Sequence, residues 1–516
     1  MLGNRFARYK EVKIATDVSD KTVAYVHEHM DTLSGISVNE DMIRKYNYSE
    51  YFSSIIGYTG PISESEYTAL HKKNKDYTQN DTVGKAGLEQ YYETYLRGKN
   101  GERKFYIDNV GRISEIISST DSVAGDDLYL SIDADLQKAT YLALQNEIAA
   151  IVYSNIKSGE IPINDVYTAL IGNSVINTEH FSKSKASDTE KSVLSVFKSR
   201  QKTTLGKIKQ ELTSSPEALN TMSDEVLDEF TYIISMLKDD QVLLKNEIDT
   251  SDSVYQKWKD QKISPKEYLN YCITQHWIDI SQLNVDEKYA DSTEVYDALC
   301  KYILKNIKTD TEFSKIIYQY MITRGEISPR QLCLILFDQG VLDYDDATVN
   351  KLKNGSLSPR DFLMKKIYNI EITPAQLALE PCTGSCVVTD EKTGEIRAMV
   401  SYPGYNSNKL ANGVDSEYFA SLQHDKSSPL LNYATQQKTA PGSTFKLVSA
   451  TAGLAENVIT TSDQIRCTGI YNDISNKPKC WIYPGSHGLD NVSEAIRDSC
   501  NVFFYTVGNL SLIHIS

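Results

Sequence analysis

The long segment between about residues 155 and 371 constrains the fold most, because its pattern is helical throughout and its glycines are scarce. Apolar residues recur there at helical spacing, as in VLDEFTYIISMLKDDQVLL at 226–244. Four short signatures, ISPKE, ISPRQ, LSPRD and ITPAQ, each place Ser or Thr directly before Pro. That pair is typical of a helix N-cap followed by the first helical residue. The signatures are spaced irregularly, so we predict an inserted helical domain and not a solenoid.

Strand patterns flank this segment on both sides. Residues 55–67 predict an apolar strand, a glycine turn and a helix start, and 84–113 predict a helix followed by two short strands. Residues 124–151 predict an alternating strand, an N-cap at Asp133 and a long amphipathic helix. Beyond the helical segment, 384–405 predict a β-hairpin whose turn is EKTG. A chain of 516 residues with this mixture is expected to be α+β and to contain several domains.

Charge and hydropathy narrow the choice of partner. The chain has 54 basic and 69 acidic residues, a net charge of −15, and no long run of Lys and Arg, which disfavours nucleic acid. It has no apolar run of about 18 residues, and its start lacks the apolar core of a signal peptide, so no membrane span is expected in it. Small molecules, peptides and other proteins stay open as ligands.

The stretch KTAPGSTFKLVSATAGLAE at 438–456 holds a candidate nucleophile. If Ser443 opens a helix, Lys446 lies one turn further along the same face, where side chains three residues apart meet. A neutral lysine there can accept the seryl proton, and partial burial and the helix N-terminus both favour the uncharged amine. This is an activated nucleophile for acyl transfer. The pattern alone also fits a plain helix cap, since SKSK at 182–185 matches it without such a context.

A second element follows at SCN, residues 499–501. A hydroxyl on Ser499 and an amide on Asn501 can project together from a turn, one to relay a proton and one to hold a substrate amide. Alone this pattern is weak, because SVN at 37–39 also fits it. The specific feature is the combination of Ser-x-x-Lys, Ser-x-Asn downstream and a hairpin upstream.

This combination resembles the signature of penicillin-binding proteins and serine β-lactamases. PGSTFK at 441–446 resembles the nucleophile motif of the class B, monofunctional transpeptidases, and VVTDEKTGEIRAMVSYPGYN resembles the stretch that precedes it in them. IRKYNYSEYFSSIIGYTG, GKAGLEQYYETYLRGKNG and LYLSIDADLQ resemble their pedestal, or dimerisation, domain and its junction with the catalytic domain. The resemblance covers about 1–153 and 376–509, and the elongation-type branch is the most similar.

The resemblance implies a division of the chain into four parts. A pedestal domain is expected at 1–125 and the start of a transpeptidase domain at 126–154. The helical insertion occupies 155–371. The rest of the transpeptidase domain, an α/β/α sandwich with an antiparallel sheet, is expected at 372–516.

By the same resemblance, the chain is expected to act as a D,D-transpeptidase that cross-links peptidoglycan. Ser443 would attack the penultimate D-alanine carbonyl of a stem peptide, and β-lactams would acylate the same oxygen. Lys446 would be the general base, Ser499 would relay a proton to the leaving group, and Asn501 would hold the substrate amide. The backbone N–H of Ser443 would form half of an oxyanion hole.

The family also suggests the setting of this chemistry. It requires no cofactor. Its partners are expected to be a membrane-embedded glycan polymerase and other wall-synthesis proteins, at the extracytoplasmic face of the bacterial cell membrane.

Three departures from the family pattern make us expect a fragment with weak activity or none. The family's third motif, Lys-Thr-Gly or Lys-Ser-Gly on a core strand, lies downstream of the second, whereas the KTG at 392–394 precedes Ser443 and fits a hairpin turn. The chain ends in LSLIHIS at 510–516, where the family would continue, and the family's amino-terminal anchor is absent. The tail is unlike that continuation, which leaves a cloning or gene-assembly scar as one explanation.

A candidate metal site lies between the two catalytic motifs. Soft and borderline ligands suit zinc, and a metal there would staple the intervening loop. Some elongation-type relatives resemble this chain in placing Asp, His and Cys ligands there. The spacing is not that of a standard zinc finger, so a Cys467–Cys480 disulfide and unpaired thiols stay open as alternatives. The candidate ligands are Asp463, Cys467, Cys480, His487 and Cys500.

Alternatives to an enzyme also stay open. The helical insertion has no catalytic signature, and it fits either a solvated appendage or a docking surface for other wall-synthesis proteins. The whole chain could be a non-catalytic scaffold of the wall-synthesis complex, or a β-lactam sensor or β-lactamase. The four intact residues of the two motifs argue for catalysis, and the long pedestal argues against a sensor.

Overall fold

The structure, a computed structural model, describes residues 14–15, 18–29, 32–33, 36, 38, 43–79, 81–107, 113–214, 217–283, 285, 291–411 and 413–515. The chain divides into two units, Met1–Gln436 and Gln437–Ser516. In the described residues, helices dominate and the strands pair in two-stranded antiparallel sheets, which confirms the predicted α+β class. None of the described helices is long and apolar enough to cross a lipid bilayer.

The first unit begins with short helices and strands around a buried carboxylate. Glu93 accepts hydrogen bonds from the backbone N–H of Gly84 at 2.7 Å and from the Tyr77 hydroxyl at 3.2 Å. Arg97 lies over the Tyr77 ring, 4.0 Å from its centroid, and pairs with Asp81 at 2.6 Å. These contacts hold the segment GKAGLEQYYETYLRG against the β1–β2 sheet. The elements are α1 Asp20–Glu28, α2 Ser49–Ile56, β1 Thr59–Pro61, α3 Glu64–Lys73, β2 Thr82–Gly84, α4 Gly87–Tyr91, α5 Glu93–Leu96, β3 Glu102–Ile107 and β4 Ile113–Thr120, with β1 paired to β2 and β3 to β4.

Two strand predictions in this part were wrong. Ile55 lies on the buried face of α2 together with Phe52, so the apolar run predicted as a strand is the end of an amphipathic helix. Residues 128–132 form no strand, because nothing pairs with them along their length. They are held only at one end, where the Ser131 hydroxyl and the Asp133 N–H bond to the carbonyls of residues 396 and 397.

The helical segment forms one continuous hydrophobic core, with buried members from Val152 to Leu377. All four Ser/Thr-Pro signatures begin helices as predicted, and each Ser or Thr oxygen accepts the backbone N–H three residues further on. The helices are α6 Ala134–Ser158, α7 Ile163–Gly172, α8 Asp188–Thr213, α9 Asp224–Asp239, α10 Ser253–Lys259, α11 Pro265–Thr274, α12 Ser292–Ile307, α13 Thr311–Thr323, α14 Pro329–Asp338, α15 Asp346–Lys353, α16 Pro359–Tyr368 and α17 Pro374–Leu377.

One type of connection recurs between these helices. The chain leaves a helix through a residue with positive φ, and the next apolar residue donates its N–H back to the last helical turn. Each bond spans six residues, one more than the 6→1 bond of a Schellman motif. In three of these connections, at Ile327, Leu357 and Ile372, the donor directly precedes the next N-cap. Such donors are Leu243, Ile327, Leu342, Leu357 and Ile372, bonding to Leu237, Met321, Leu336, Lys351 and Lys366.

A β-hairpin packs on α6. Strands β5 Gly384–Thr389 and β6 Ile396–Tyr402 are antiparallel, and the fully buried Gln137 exchanges two hydrogen bonds with the backbone of Met399 on β6. The KTG at 392–394 lies in the hairpin turn, where Asp390 accepts two backbone N–H groups at 2.9 Å and Gly394 has φ +75°. It is therefore a turn, as predicted. The unit ends with α18 Ser416–His424 and α19 Tyr433–Gln436.

The early and late parts of the first unit are bonded directly to each other. Asn408 accepts the N–H of Tyr46 at 2.8 Å and donates to its carbonyl at 2.9 Å, across 362 residues of chain. The Tyr405 hydroxyl donates to the carbonyl of Ser53 at 3.1 Å. The parts of the chain on either side of the helical segment therefore contact each other directly.

The second unit is a small helical pair with a short sheet. Its elements are α20 Phe445–Ala455, β7 Ile465–Cys467, β8 Gly488–Asp490, α21 Val492–Arg497 and α22 Asn501–Ile515, with β7 antiparallel to β8. Helices α20 and α22 approach closely at Gly453, where an added Cβ would meet the Val507 side chain at 2.9 Å and the Ile459 side chain at 3.2 Å. Glycine at this position lets the last turn of α20 pack closely against the middle of α22.

Candidate active site

Ser443 lies in a tight turn just before α20. Pro441 precedes Gly442, which has φ +58° with open space around it, so glycine is required there by backbone conformation. Ser443 follows in a single 3₁₀ turn, Gly442–Thr444, and is exposed. Its side chain caps no backbone N–H of this turn or of α20, which argues against the plain-cap interpretation.

Lys446 lies in the first turn of α20 and is half-buried. Its Nζ donates to the Ser499 carbonyl at 2.7 Å, to Ser499 Oγ at 3.0 Å and to Asn501 Oδ1 at 2.6 Å. Burial lowers the pKa of this amine, although the neighbouring Cys480 and Cys500 thiols oppose the shift. The neutral form needed of a base is therefore easier to reach than for an exposed lysine.

Ser499 lies between Ser443 and Lys446. Its Oγ donates to Ser443 Oγ at 3.1 Å and accepts from Lys446 at 3.0 Å. The hydrogen bonds among the described residues therefore join Lys446 to Ser443 through Ser499, not directly as the i, i+3 argument expected. Ser499 has φ +48°, an uncommon value for serine, in the short link between α21 and α22.

Asn501 begins α22 and connects the motif to a group of thiols. Its side-chain oxygen accepts from Lys446, and its Nδ2 lies 3.4 Å from the carbonyl of Lys479. Its backbone N–H donates to Cys480 Sγ at 3.4 Å. Asn501 therefore links Cys480 to Lys446.

The structure brings four of the five candidate metal ligands together. One ligand atom from each of Cys467, Cys480, His487 and Cys500 lies within 4.8 Å of all the others. The three cysteines are buried free thiols, so Cys467 and Cys480 form no disulfide in this structure. Asp463 is not in the group, because its carboxylate accepts the N–H of Thr460 at 2.7 Å in a local turn.

The donor set of this cluster fits zinc. Three sulfurs and one imidazole nitrogen form a common structural zinc set. Backbone N–H groups donate to all three sulfurs at 3.4 Å, from Gly469, Asn501 and Phe503. Burial opposes ionisation of Cys480, yet the backbone N–H groups outweigh it, and the pKa of this thiol is lowered. At Cys480 such bonds favour the thiolate form that binds a metal, whereas burial raises the pKa of the Cys500 thiol to about 12.

Two residues next to the cluster were missed from the sequence. Asp490, at the end of β8, is 3% exposed, and one of its carboxylate oxygens has no hydrogen-bond partner, as is also true of His487 Nε2. Trp481 donates its indole N–H to the carbonyl of Asp498, and its ring lies 5.6 Å from the His487 ring, with 65% of the residue exposed. The sequence signal that could have indicated Asp490 is its position three residues after His487. For Trp481 it is its position directly after Cys480.

Comparison with known proteins assigns both ends of the chain. Residues 1–130 match the penicillin-binding protein dimerisation domain, and residues 384–512 match the penicillin-binding protein transpeptidase domain. Peptidoglycan D,D-transpeptidase MrdA of Salmonella typhimurium is 28% identical over 157 residues, 30% of this chain and 25% of the relative. Penicillin-binding protein 2A of Bacillus subtilis is 35% identical over 136 residues, 26% of this chain and 19% of the relative.

Solved structures show the same similarity over a limited part. A protein in a structure described as a peptidoglycan synthase complex that coordinates polymerisation and cross-linking is 36% identical, with a TM-score of 0.23, over 24% of this chain and 22% of its own. The matches thus span about a quarter or less of the length of these relatives.

Proposed function

We propose that this chain, which belongs to the penicillin-binding proteins, carries the acyl-transfer site of a peptidoglycan D,D-transpeptidase. The observation that supports this most directly is the hydrogen-bonded row of Lys446, Ser499 and Ser443, with steps of 3.0 and 3.1 Å. Its substrates would be stem peptides ending in D-Ala-D-Ala, and β-lactams would acylate the same serine. The four motif residues lie in the same unit of the structure, Gln437–Ser516.

Acylation would begin with loss of the Ser443 proton. Neutral Lys446 would accept it through Ser499, because hydroxyl hydrogens rotate and the row can run in either direction. Ser443 Oγ would then attack the penultimate D-alanine carbonyl, and its backbone N–H would stabilise the oxyanion. As the C–N bond breaks, the proton would return through Ser499 to the amine of the departing D-alanine.

Transfer of the acyl group would use the same residues in reverse. An amine of a second stem peptide would attack the Ser443 ester, losing its proton to the relay while Ser443 Oγ regains one. Asn501 would hold the amide of the substrate, and it also keeps Lys446 oriented through the 2.6 Å bond. One peptide bond forms for each one broken, so no external energy source is needed.

Labelling with a fluorescent penicillin tests this assignment. We expect the wild type to be labelled and Ser443→Ala to lose the label. Ser182→Ala is the matched control, because SKSK is another Ser-x-x-Lys in this sequence and the Ser182 hydroxyl donates to the carbonyl of Glu179. An unlabelled wild type, or equal labelling of Ser443→Ala, would overturn the assignment.

The buried cluster of Cys467, Cys480, His487 and Cys500 is proposed to hold a structural zinc ion. When bound, the metal would tie the loop after β7 to the Ser-x-Asn turn, because Cys500 lies between Ser499 and Asn501. Asp463 is left out of this ligand set. The transpeptidase chemistry itself requires no cofactor in this proposal.

Elemental analysis of protein purified under reducing conditions tests the zinc proposal. We expect about one zinc per chain, as for a closed four-ligand site. Cys467→Ser should lose it, and Cys386→Ser, outside the cluster, should retain it. Wild-type protein without zinc after growth and purification with zinc present would contradict the proposal.

The division of the chain and its setting belong to the same proposal. A pedestal at 1–125, a transpeptidase start at 126–154, an insertion at 155–371 and a remainder at 372–516 agree with family matches that stop at 130 and resume at 384. We place the working site at the extracytoplasmic face of the cell membrane, with a glycan polymerase and other wall-synthesis proteins as partners. The similarity to a member of a peptidoglycan synthase complex supports this setting.

A further inference from the structure

A line of four lysines runs along the outer face of α8. Lys191, Lys198, Lys202 and Lys209 are spaced by seven, four and seven residues, and all four are exposed. At about 100° and about 1.5 Å per residue, they fall within a sector of about 40° over a length of about 27 Å. We call these four residues the lysine stripe.

The rest of α8 leaves the stripe without an internal partner. The opposite side of the helix is buried in the core through Val193, Phe197 and Ile208. Arg200 projects about 180° away from Lys191 by the same helical geometry and pairs with Glu225 at 2.8 Å. Among the described residues, no ion pair includes a lysine of the stripe.

The surface on one side of the stripe is low and polar, and it includes the exposed Asp188 at its amino-terminal end. Ser195, Ser199, Gly206 and Thr213 lie within about 80° of Lys191 on the same face. Gly206 is exposed within the helix, and a Cβ added there would meet nothing within 4 Å. Glycine is unfavourable in a helix interior. It leaves room for a ligand to lie close to the helix backbone.

The chemistry of the stripe selects among anionic partners. It lacks the Trp, Tyr and Arg anchors that give protein interfaces most of their affinity. The chain has a net charge of −15. A planar anionic membrane would therefore repel the acidic surfaces around the stripe. A linear polymer can lie along the stripe without contacting the acidic surfaces around it. Lysine ammonium groups bind phosphate as point charges. The helix lies outside both segments that match the family, so this surface is a property of the insertion.

We propose that the lysine stripe of α8 binds a linear, phosphate-bearing anionic polymer. Binding would be electrostatic, weakened steeply by salt, and independent of the acyl-transfer site. The helical insertion would then hold the protein along such a polymer while the serine site acts on its own substrate.

Inorganic polyphosphate of defined chain length tests this with the full chain. We expect wild-type protein to bind it, and a variant with Lys191, Lys198, Lys202 and Lys209 all changed to Gln to bind at least about tenfold more weakly. The slope of log affinity against log salt should fall by about 3, since each contact to a single-stranded polyanion contributes about 0.7. Circular dichroism should show an unchanged helix content.

A matched variant controls for net charge. Lys245, Lys301, Lys305 and Lys353 are also exposed and outside the described ion pairs, and changing all four to Gln alters the net charge equally. This variant should bind polyphosphate within about twofold of wild type at fixed salt. The proposal would be overturned if both variants bound polyphosphate equally weakly, or if the wild type did not bind it at low salt. It would also be overturned if the wild type bound phosphatidylglycerol vesicles as tightly as polyphosphate and through the same four lysines.

Discussion

Ser499 holds a backbone conformation that serine adopts at a cost. Its φ of +48° lies in the left-handed region, where a side chain typically costs about 1 to 2 kcal/mol. The same residue places its hydroxyl between Ser443 and Lys446. Strain at a residue that bridges two candidate catalytic groups is a pattern of functional sites.

Two substitutions at Ser499 distinguish the role of its hydroxyl from the effect of its backbone conformation. Ser499→Gly and Ser499→Ala both remove the relay, so we expect acylation by fluorescent penicillin to slow by about 10²- to 10⁴-fold in each. Glycine adopts positive φ freely. The free energy of unfolding, measured in urea, should therefore be about 1 kcal/mol higher for Ser499→Gly than for Ser499→Ala. Wild-type acylation rates in Ser499→Gly would show that the hydroxyl has no role.

At this scale the sequence predicted the residue types but not their order in space. The motifs named Ser443, Lys446, Ser499 and Asn501, and the structure brings all four together, although their roles stay a prediction. The bridging position of Ser499 depends on the turn before α22, which no local pattern specifies. Asp490 was missed because a lone acid after a histidine is common, and only burial distinguishes it.

At the scale of elements, Gly453 sets the distance between α20 and α22. Gly453→Val should force the helices apart, because even a Cβ would lie 2.9 Å from the Val507 side chain. We expect a loss of stability of about 2 to 3 kcal/mol from overpacking, and slower penicillin acylation because the two motifs begin these helices.

Gly508→Ala in α22 is the matched control for Gly453→Val, because a Cβ there meets nothing within 4 Å. It should acylate normally and be as stable as wild type or slightly more so. Urea unfolding and label kinetics measure both variants. Normal acylation and stability in Gly453→Val would contradict the close-packing argument.

Helix α9 contains a carboxyl group that resists ionisation. Burial, and then the neighbouring Glu225, raise the pKa of Glu229 to about 8, against the opposing charges of Lys207 and Arg200. In the unfolded chain this group has a pKa near 4.5. Between about pH 4.5 and pH 8 the carboxyl group is therefore protonated in the folded state and ionised in the unfolded state. Stability from this group is therefore full below about pH 4.5 and falls as pH rises towards 8.

Glu229→Gln should remove this pH dependence. We expect the variant to gain up to about 3 kcal/mol over wild type at pH 7 and little at pH 4.5, since a pKa unit corresponds to about 1.4 kcal/mol. Urea unfolding at several pH values measures it, with the exposed Glu247→Gln as control. An equal effect of Glu229→Gln at both pH values would contradict a buried, protonated carboxyl.

Element prediction succeeded where the determining contacts were local. The Ser/Thr-Pro N-caps and the hairpin turn at 390–394 depend on bonds within a few residues, and they formed as predicted. The strands predicted near 55 and 128 failed because a strand needs a partner edge that the local pattern cannot supply. The lysine stripe was missed because its members are dispersed in sequence and align only on a helix.

At the scale of the whole molecule, the first unit depends on contacts between its two ends. Asn408 exchanges two hydrogen bonds with the backbone of Tyr46. Asn408→Ala should leave both backbone groups unpaired and lower stability by about 1 to 2 kcal/mol. Urea unfolding checks this, and Asn350→Ala, on the exposed side of α15, should cost nothing. A neutral Asn408→Ala would show that these bonds do not hold the ends together.

These end-to-end bonds also set an order of events during synthesis. Tyr46 leaves the ribosome 362 residues before its partner Asn408, which at about 5 to 20 residues per second is a delay of about 20 to 70 s. In that interval the helices of the insertion, whose contacts are closer in sequence, can already fold. Their folding shortens the distance that the amino-terminal segment must later close. The folded helical segment would thus bring the chain that follows it close to Tyr46, so that the bonds between Tyr46 and Asn408 can form as soon as Asn408 leaves the ribosome.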